Sequence, residues 1–131
     1  MAAFLPDSTV LIDYLRGHGE VVAKLNALVD DGNTLGICAI NVAEVFAGMR
    51  EPERSVTEAL LSSLDWFDIS YQTAQDAGEE QARLRRSGKN VSLADVTIGC
   101  VARANDAVLL TANVKDFPLR SLQVEQLPAP R

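Results

Sequence analysis

The sequence has few of the residues that build several common kinds of functional site. It contains one histidine, His18, and two cysteines, Cys38 and Cys100, in 131 residues. A zinc site built from several imidazoles is therefore excluded. A Ser-His-Asp triad would have to use His18, which lies between glycines and near no nucleophile elbow. The cysteines form no CxxC pair and lie in apolar runs, so we expect both to be buried as small apolar residues.

Long apolar runs, linkers and repeats are also missing. No run approaches the ~20 apolar residues that a membrane-spanning helix needs, and the N-terminus lacks the basic segment of a signal peptide. The composition, 47% hydrophobic and 23% charged, is typical of globular proteins. We therefore expect one domain over residues 1–131, located in the cytoplasm and without a membrane partner.

Positive charge is scarce, since the formal net charge is −6. By itself this charge argues against a nucleic-acid partner. However, if four acids surround cations, the 12 Lys and Arg face only 14 of the 18 Asp and Glu, a balance of 12 − 14 = −2. The acidic composition is thus neutral with respect to a metal-dependent nuclease.

Short apolar runs alternate with amphipathic segments along the chain. The pattern predicts strands at 2–6, 34–40, 66–69 and 107–110, with an edge strand from Val124. Helical spacing predicts helices after Asp7 and at 21–29, 41–49, 56–64, 74–84 and 93–104. Short apolar strands separated by helices indicate parallel strands with helical crossovers, which is an α/β sandwich.

Acidic residues follow three of these strands. Asp7 comes directly after the first strand, Glu44 lies near the start of the helix after the second, and Asp116 follows the strand at 107–110. Open parallel sheets bind ligands beyond the carboxyl ends of their strands. Three distant segments therefore bring carboxylates to the same edge of the sheet.

Glu44 and Asp95 are each the only charge in an apolar helical stretch. A helix that is apolar on all sides is typically buried, so we expect both acids to be buried. An unpaired buried carboxylate costs several kcal/mol or becomes protonated. Because Lys and Arg are scarce in these stretches, a divalent cation is the favoured compensation.

A purely structural explanation of the same acids remains open. Asn41-x-x-Glu44 and Ser92-x-x-Asp95 have the spacing of capping boxes, and Asp7 or the following serine has the position of an N-cap. Each motif taken singly favours a cap over a catalyst. Caps alone, however, do not predict a further acid in a loop at the same edge, and a capping residue can also bind a ligand.

Other charged residues carry a weaker signal. Asp13 lies about two turns beyond Asp7 and is expected to be solvated. The densest basic group comprises Arg83, Arg85, Arg86 and Lys89. Such a group commonly forms an exposed face near a helix C-terminus, but in a nuclease it would be the first candidate for phosphate contacts.

Four stretches together resemble the PIN-domain family, in particular the VapC-type toxins of toxin–antitoxin pairs. They read LPDSTVLIDYL, NVAEVFAG, SLADVTIGCVA and LLTANVKDF, and they occur in the family's order over the whole chain. The resemblance implies a three-layer α/β/α fold with a central parallel sheet, a homodimer, and metal-dependent cleavage of RNA. It also implies a VapB-type antitoxin as partner, and transfer RNA or a structured ribosomal site as substrate.

The resemblance assigns roles residue by residue. Asp7, Glu44 and Asp95 match the family's acidic triad, Asp116 matches a more variable fourth acid, and Thr111 and Asn113 match a polar pair that supports the site. A carboxylate cluster without imidazole or thiolate selects Mg²⁺ or Mn²⁺. Our hypothesis is that Asp7, Asp95 and Asp116 hold one ion, while Glu44 completes the site, binds a second ion or orients the attacking water.

Two alternatives belong to other classes of protein. Thr111 and Lys115 invite comparison with a phosphoacceptor receiver domain, but the first strand ends in one acid rather than an adjacent pair. The second strand also has no phosphorylatable Asp at its end. The other alternative is a catalytically silent RNA- or protein-binding module on the same fold.

Overall fold

The structure is a computed structural model that describes residues 1–128. Its strands and helices alternate as the sequence predicts. The strands are β1 (Ala3–Pro6), β2 (Thr34–Ile37), β3 (Asp65–Trp66), β4 (Ala107–Thr111) and β5 (Val124–Gln126). The helices are α1 (Ser8–Leu15), α2 (Gly19–Asp30), α3 (Ala39–Ala47), α4 (Arg54–Ser63), α5 (Tyr71–Arg86) and α6 (Leu93–Ala104). Single 3₁₀ turns lie at Glu51–Glu53 and Val114–Asp116.

The described part of the chain forms a five-stranded sheet in the order β3-β2-β1-β4-β5. Each neighbouring pair is parallel, as helical crossovers require. The register aligns Pro6 with Leu110 and Ile37 with Trp66, and the backbone N–H of Asp7 extends the ladder to the carbonyl of Leu110 at 2.9 Å. Consequently β1, β2 and β4 end at the same edge.

Helices cover both faces of the sheet. Successive strand residues point to opposite faces: Leu5 and Leu109 pack in the cluster that contains residues of α5 and α6. Phe4 and Leu110 instead pack against residues of α1 and α2. The three-layer α/β/α sandwich is thereby confirmed. Within residues 1–128, no helix has both the length and the apolarity needed to cross a bilayer.

The predicted second strand was too long. It ends at Ile37 rather than residue 40, because Cys38 caps α3 and the helix begins at Ala39. The first turn of α3 is as apolar as the strand, so hydrophobicity alone does not mark the boundary. The third strand covers only Asp65–Trp66, rather than 66–69.

The expectation of buried helices holds for the middle of α6 but not for α3, and the expectation that both acids are buried was wrong, since Glu44 and Asp95 are only partly buried. In α6 every residue from Val96 to Ala102 is buried, because the helix lies between the sheet and α5. In α3 only Asn41 and Val45 are buried. One face of α3 packs against α1 and α4 in a small cluster, and its alanines on the other face are exposed.

Gly36→Ala should destabilise the protein, because the new Cβ would lie 2.4 Å from the Phe67 ring. We expect a loss of about 1–3 kcal/mol, the usual range for overpacking, measured as a lower melting temperature. Gly78→Ala is the control: it lies in α5 with open space around it, and it should gain about 0.5–1 kcal/mol in helix stability. Equal melting temperatures for wild type and Gly36→Ala would contradict the packing described here.

Candidate functional site

Asp7 links the sheet to the first helix. It follows β1, caps α1, and accepts a hydrogen bond at Oδ1 from the Val10 N–H at 2.9 Å. Its other oxygen, Oδ2, accepts one from the Thr111 hydroxyl at 2.5 Å, across the sheet from the end of β4. Asp7 is only 7% exposed. Its carboxylate is therefore fixed in position from two sides and nearly removed from water.

Glu44 is positioned by a different network from the one that the sequence suggested. The Asn41–Glu44 capping box is wrong: Cys38 is the N-cap, and Asn41, at the third helical position, accepts from the Cys38 N–H at 2.9 Å. Glu44 lies a turn further on, half-buried, and accepts from the Ser8 hydroxyl at 2.6 Å. The Asn41 amide donates to the Ser8 hydroxyl at 3.2 Å.

Asp95 lies in the first turn of α6, where the Ser92 hydroxyl accepts from its N–H at 3.1 Å. The predicted N-cap at Ser92 is therefore present. Asp95 is partly buried. The cap fixes the backbone that carries the carboxylate, so capping and a place in the site are compatible at this position.

Asp116 lies in the 3₁₀ turn after β4 and is exposed. Its Oδ2 accepts from the Asn113 amide at 2.9 Å. The backbone N–H of Asn113 donates to the Thr111 hydroxyl at 3.0 Å, and that hydroxyl donates to Asp7. A continuous chain of hydrogen bonds thus connects Asp116 with Asp7 through the predicted polar pair.

The acids influence one another electrostatically. Burial raises the pKa of Asp7; the hydrogen bonds from Thr111 and Val10 oppose the rise, and the charges of Asp13 and Asp116 add to it. Burial likewise raises the pKa of Asp95; Ser92 opposes this rise, and the charges of Asp116, Glu44 and Asp7 add to it. The structure therefore brings Asp7, Glu44, Asp95 and Asp116 within electrostatic range of one another.

Basic residues do not balance this cluster. Within residues 1–128, no Lys, Arg or His forms an ion pair with any of the four acids. Burial keeps Asp7 nearly out of water and partly covers Glu44 and Asp95, so the site carries negative charge that the described residues leave uncompensated. A bound cation would supply the missing compensation.

The donor atoms fit a hard divalent ion that keeps much of its water. No three His, Cys, Asp or Glu side chains in the described part of the chain already converge at ligand distance. Mg²⁺ typically takes only one or two protein carboxylates and retains several waters. Among residues 1–128, the side chains that hydrogen-bond to Asp7 or act on its charge offer a metal only hydroxyl and carboxylate oxygens. The set therefore suits Mg²⁺ or Mn²⁺ rather than a metal that prefers sulfur or imidazole.

Asp13 is not the solvated surface residue that its spacing suggested. It is 7% exposed, and its Oδ2 has no hydrogen-bond partner among the described residues. Its Oδ1 lies 3.7 Å from Nε2 of His18, at the start of α2. Because its charge raises the pKa of Asp7, Asp13 contributes to the field of the site. Helical spacing along α1 does not by itself show how exposed a position is in the folded chain.

The predicted basic group is divided. Arg83 pairs with Glu80 at 2.9 Å, whereas Arg85 and Arg86 lie exposed in the last turn of α5 and Lys89 lies exposed just beyond it. None of these four residues pairs with an acid of the site. Their contact with RNA stays a prediction.

Sequence reasoning did not identify Ser8 and Asn41 as residues of the site. Ser8 holds Glu44, and Asn41 joins Ser8 to the carbonyl of Pro6 at 3.3 Å. Both residues stand within the stretches that carry the family resemblance. Their positions next to Asp7 and Glu44 were the available signal, but their partners lie more than thirty positions away in the sequence.

The comparisons with known proteins agree on one family. Residues 4–118 match the model of the PIN domain. Ribonuclease VapC10 of Mycobacterium tuberculosis is 39% identical over 129 residues, which cover 96% of this chain and 91% of the relative. Ribonuclease VapC19 of the same organism is 32% identical over 115 residues, which cover 88% and 92%.

Solved structures show the same similarity. A chain of the VapBC2 complex from Rickettsia felis, bound to a DNA fragment from its promoter, superposes with a TM-score of 0.84 and 25% identity. The match covers 95% of this chain and 98% of that one. A chain of a toxin–antitoxin complex from Klebsiella pneumoniae has a TM-score of 0.74 and 29% identity, covering 98% and 99%.

Asp7→Asn should stabilise the metal-free protein at neutral pH. The unperturbed pKa is 3.8 and burial raises it in the folded state, so wild type loses stability as the pH rises from 3.8 through the folded-state pKa. Asparagine has no charge to bury and caps a helix equally well. Thermal unfolding in EDTA should therefore show a higher melting temperature for the variant, and the two curves should converge as the pH falls toward 3.8.

Asp30→Asn is the matched control, because Asp30 is exposed at the end of α2. Its melting temperature should follow that of wild type across the same pH range. If Asp7→Asn were no more stable than wild type at neutral pH, burial would not dominate the environment of Asp7.

Proposed function

Because the chain belongs to the PIN-domain family, and within it to the VapC group, we propose that it is the ribonuclease of a toxin–antitoxin pair. The observation that carries the proposal is the edge of the sheet where Asp7, Glu44, Asp95 and Asp116 meet without a basic partner among residues 1–128. An acidic site of this kind needs a cation to approach a phosphodiester, which is itself negative. The relatives named as ribonucleases match over nearly the full length of the chain.

The cofactor in this proposal is Mg²⁺ or Mn²⁺. Asp7, Asp95 and Asp116 would hold one ion directly or through water, and Glu44 would complete the site or hold a second ion. When bound, the ion lowers the pKa of a water molecule and neutralises the charge that builds on the phosphate. Two features support this choice: the candidate ligands offer only oxygen, and the buried carboxylate of Asp7 has no ion-pair partner among residues 1–128.

The protein's own residues supply orientation. Thr111 fixes one oxygen of Asp7, and the Val10 N–H fixes the other. The Ser8 hydroxyl fixes Glu44, which can then orient the attacking water. Such hydrogen bonds typically change metal affinity or activity by about 10–100-fold when they are removed. Attack of water in line with the leaving oxygen yields a 3′-hydroxyl and a 5′-phosphate, because the RNA 2′-hydroxyl takes no part.

The alternatives are not favoured by the family assignment. A receiver-like phosphoacceptor would belong to another family, and the PIN-domain match covers residues 4–118. A silent binding module on the same fold would not account for relatives named as ribonucleases that are up to 39% identical. The complete set of four acids also argues against it.

The partners follow from the same assignment. The superposed chains come from VapBC and other toxin–antitoxin complexes, so the proposal includes a VapB-type antitoxin that binds this chain. The substrate would be transfer RNA or a structured ribosomal RNA, and the active form would be a homodimer in the cytoplasm. These assignments extend the family relationship.

The direct test is cleavage of total cellular RNA by the purified, antitoxin-free protein. We expect discrete products with Mg²⁺ or Mn²⁺ and none with EDTA. Asp7→Asn and Asp95→Asn should each lose about a hundredfold or more in rate, because each removes several kcal/mol of charge stabilisation. Sequencing of the product ends should show 5′-phosphates.

Asp30→Asn serves as the matched control and should cleave like wild type, since Asp30 lies exposed and outside the site. Cyclic 2′,3′-phosphate ends would contradict the role of water. A folded wild-type protein that cleaves no RNA in either metal would contradict the function itself and favour the binding module.

A further inference from the structure

A second cluster of charge lies away from the acids. Glu80, in the middle of α5, is only 5% exposed, and three guanidinium groups surround it. Arg83 approaches its carboxylate to 2.9 Å, Arg120 to 3.7 Å and Arg103 to 3.9 Å. The three arginines come from α5, from the last turn of α6 and from the segment that follows Phe117. Glu80 also accepts from the Arg120 N–H at 3.3 Å.

One buried carboxylate neutralises one guanidinium, so this arrangement holds more positive charge than Glu80 balances. Arg103 also donates to the Arg120 carbonyl at 2.8 Å, which fixes the turn. The side chain of Arg120 remains 71% exposed. Arginines held in place by a buried acid are pre-organised and lose little freedom when they bind an anion.

The cluster borders an open cavity of about 660 Å³, which Arg86 also lines. Asp76 and Glu79 line it as well, but each accepts a hydrogen bond from a glutamine one turn earlier in α5. With Glu80 included, four guanidiniums face three carboxylates. The cavity is thus net positive in a chain whose formal net charge is −6.

The position of this cavity relative to the acids is informative. Asp95 lies in the first turn of α6 and Arg103 in the last, about 12 Å apart along the helix axis at ~1.5 Å per residue. Beside α6 the chain runs from Asp116 to Arg120, and Leu119 packs in the same core cluster as α6. Both segments therefore carry an acid of the site at one end and an arginine of the cluster at the other.

We propose that this cavity, between α5, α6 and residues 117–121, binds backbone phosphate of the RNA strand that the acid site cleaves. The proposal rests on the proposed function and adds where the RNA runs: from the acids over the segment 116–121, which covers part of the buried α6, to Arg120. Guanidinium groups bind phosphate through paired hydrogen bonds. The axial distance between Asp95 and Arg103 is about 12 Å. At ~3.4 Å per stacked nucleotide, this distance corresponds to roughly four nucleotides from the scissile bond.

Binding is measured first, in the Asp95→Asn background so that the RNA stays intact. The readout is fluorescence anisotropy of a single-stranded RNA of about twelve nucleotides, which is long enough to span both sites. Arg120→Ala should weaken binding roughly five- to tenfold and lower the salt-dependence slope by about 0.7 for the lost phosphate contact. Arg120→Lys, which keeps the charge but cannot form the paired hydrogen bonds, should restore the salt-dependence slope and recover only part of the affinity. Arg54→Ala is the control, because Arg54, like Arg120, is an exposed arginine paired with acid side chains, but it lies in α4 and does not line the cavity.

Cleavage provides the second readout, with Asp95 intact. Arg120→Ala should raise KM for the RNA of about twelve nucleotides by a similar factor and leave kcat unchanged. An RNA of about three nucleotides is too short to reach from the acids to Arg120, so its cleavage should not respond to this variant. Because Arg120 is largely exposed, the variant should also melt like wild type.

The outcomes separate the two proposals. If wild type cleaves RNA and Arg120→Ala binds and cleaves the longer RNA equally well, the phosphate site is overturned while the nuclease stands. An equal loss of cleavage efficiency on the RNAs of both lengths also overturns the phosphate site, since Arg120 would then act through the fold or the acids. Loss of antitoxin binding with unchanged RNA binding would assign the cavity to a protein partner instead. A wild-type protein that neither binds nor cleaves RNA overturns both proposals.

Discussion

The carboxylate of Asp7 is buried beside β4, no basic residue among residues 1–128 pairs with it, and the surrounding structure holds it there. The α1 backbone and the Thr111 hydroxyl each bind one of its oxygens, yet burial still raises its pKa. Hydrogen bonds of this kind stabilise a charged group without neutralising it. In the proposed function a cation completes this site, and the cation would in turn attract phosphate. The free-energy cost of burying the charge of Asp7 thus connects the fold to the proposed chemistry.

The parallel sheet explains why the other acids meet at Asp7. The register places the ends of β1 and β4 side by side, so Thr111 reaches Asp7 and orders the turn that carries Asp116. On the other side of β1, the buried amide of Asn41 binds both Ser8 and the carbonyl of Pro6. This contact sets the position of α3 relative to the strand. Small polar groups at the strand ends, rather than long ion pairs, therefore determine the geometry of the site.

Apolar runs alternating with amphipathic segments were sufficient to predict the parallel sheet, and the positions of Asp7, Glu44 and Asp116 after strands were sufficient to predict that they lie at one edge of it. Boundaries were less accurate where strand and helix share the same apolar character, as at the junction of Ile37 and Ala39. The Asn41–Glu44 spacing matched a capping box, but Asn41 itself closes a box with Cys38. The burial of Asp13 could not be derived from its spacing on α1, because helical periodicity does not give the exposure of a position in the folded chain.

Calorimetric titration of Mn²⁺ into the purified, antitoxin-free protein tests the central claim most directly, because it needs no RNA. The account predicts binding by wild type that strengthens as the pH rises, since the raised pKa values of Asp7 and Asp95 make protons compete with the ion for these carboxylates. Asp7→Asn and Asp95→Asn should each weaken binding by about tenfold or more. A folded wild-type protein that binds no Mn²⁺, or that binds it equally well in both variants, would contradict the account.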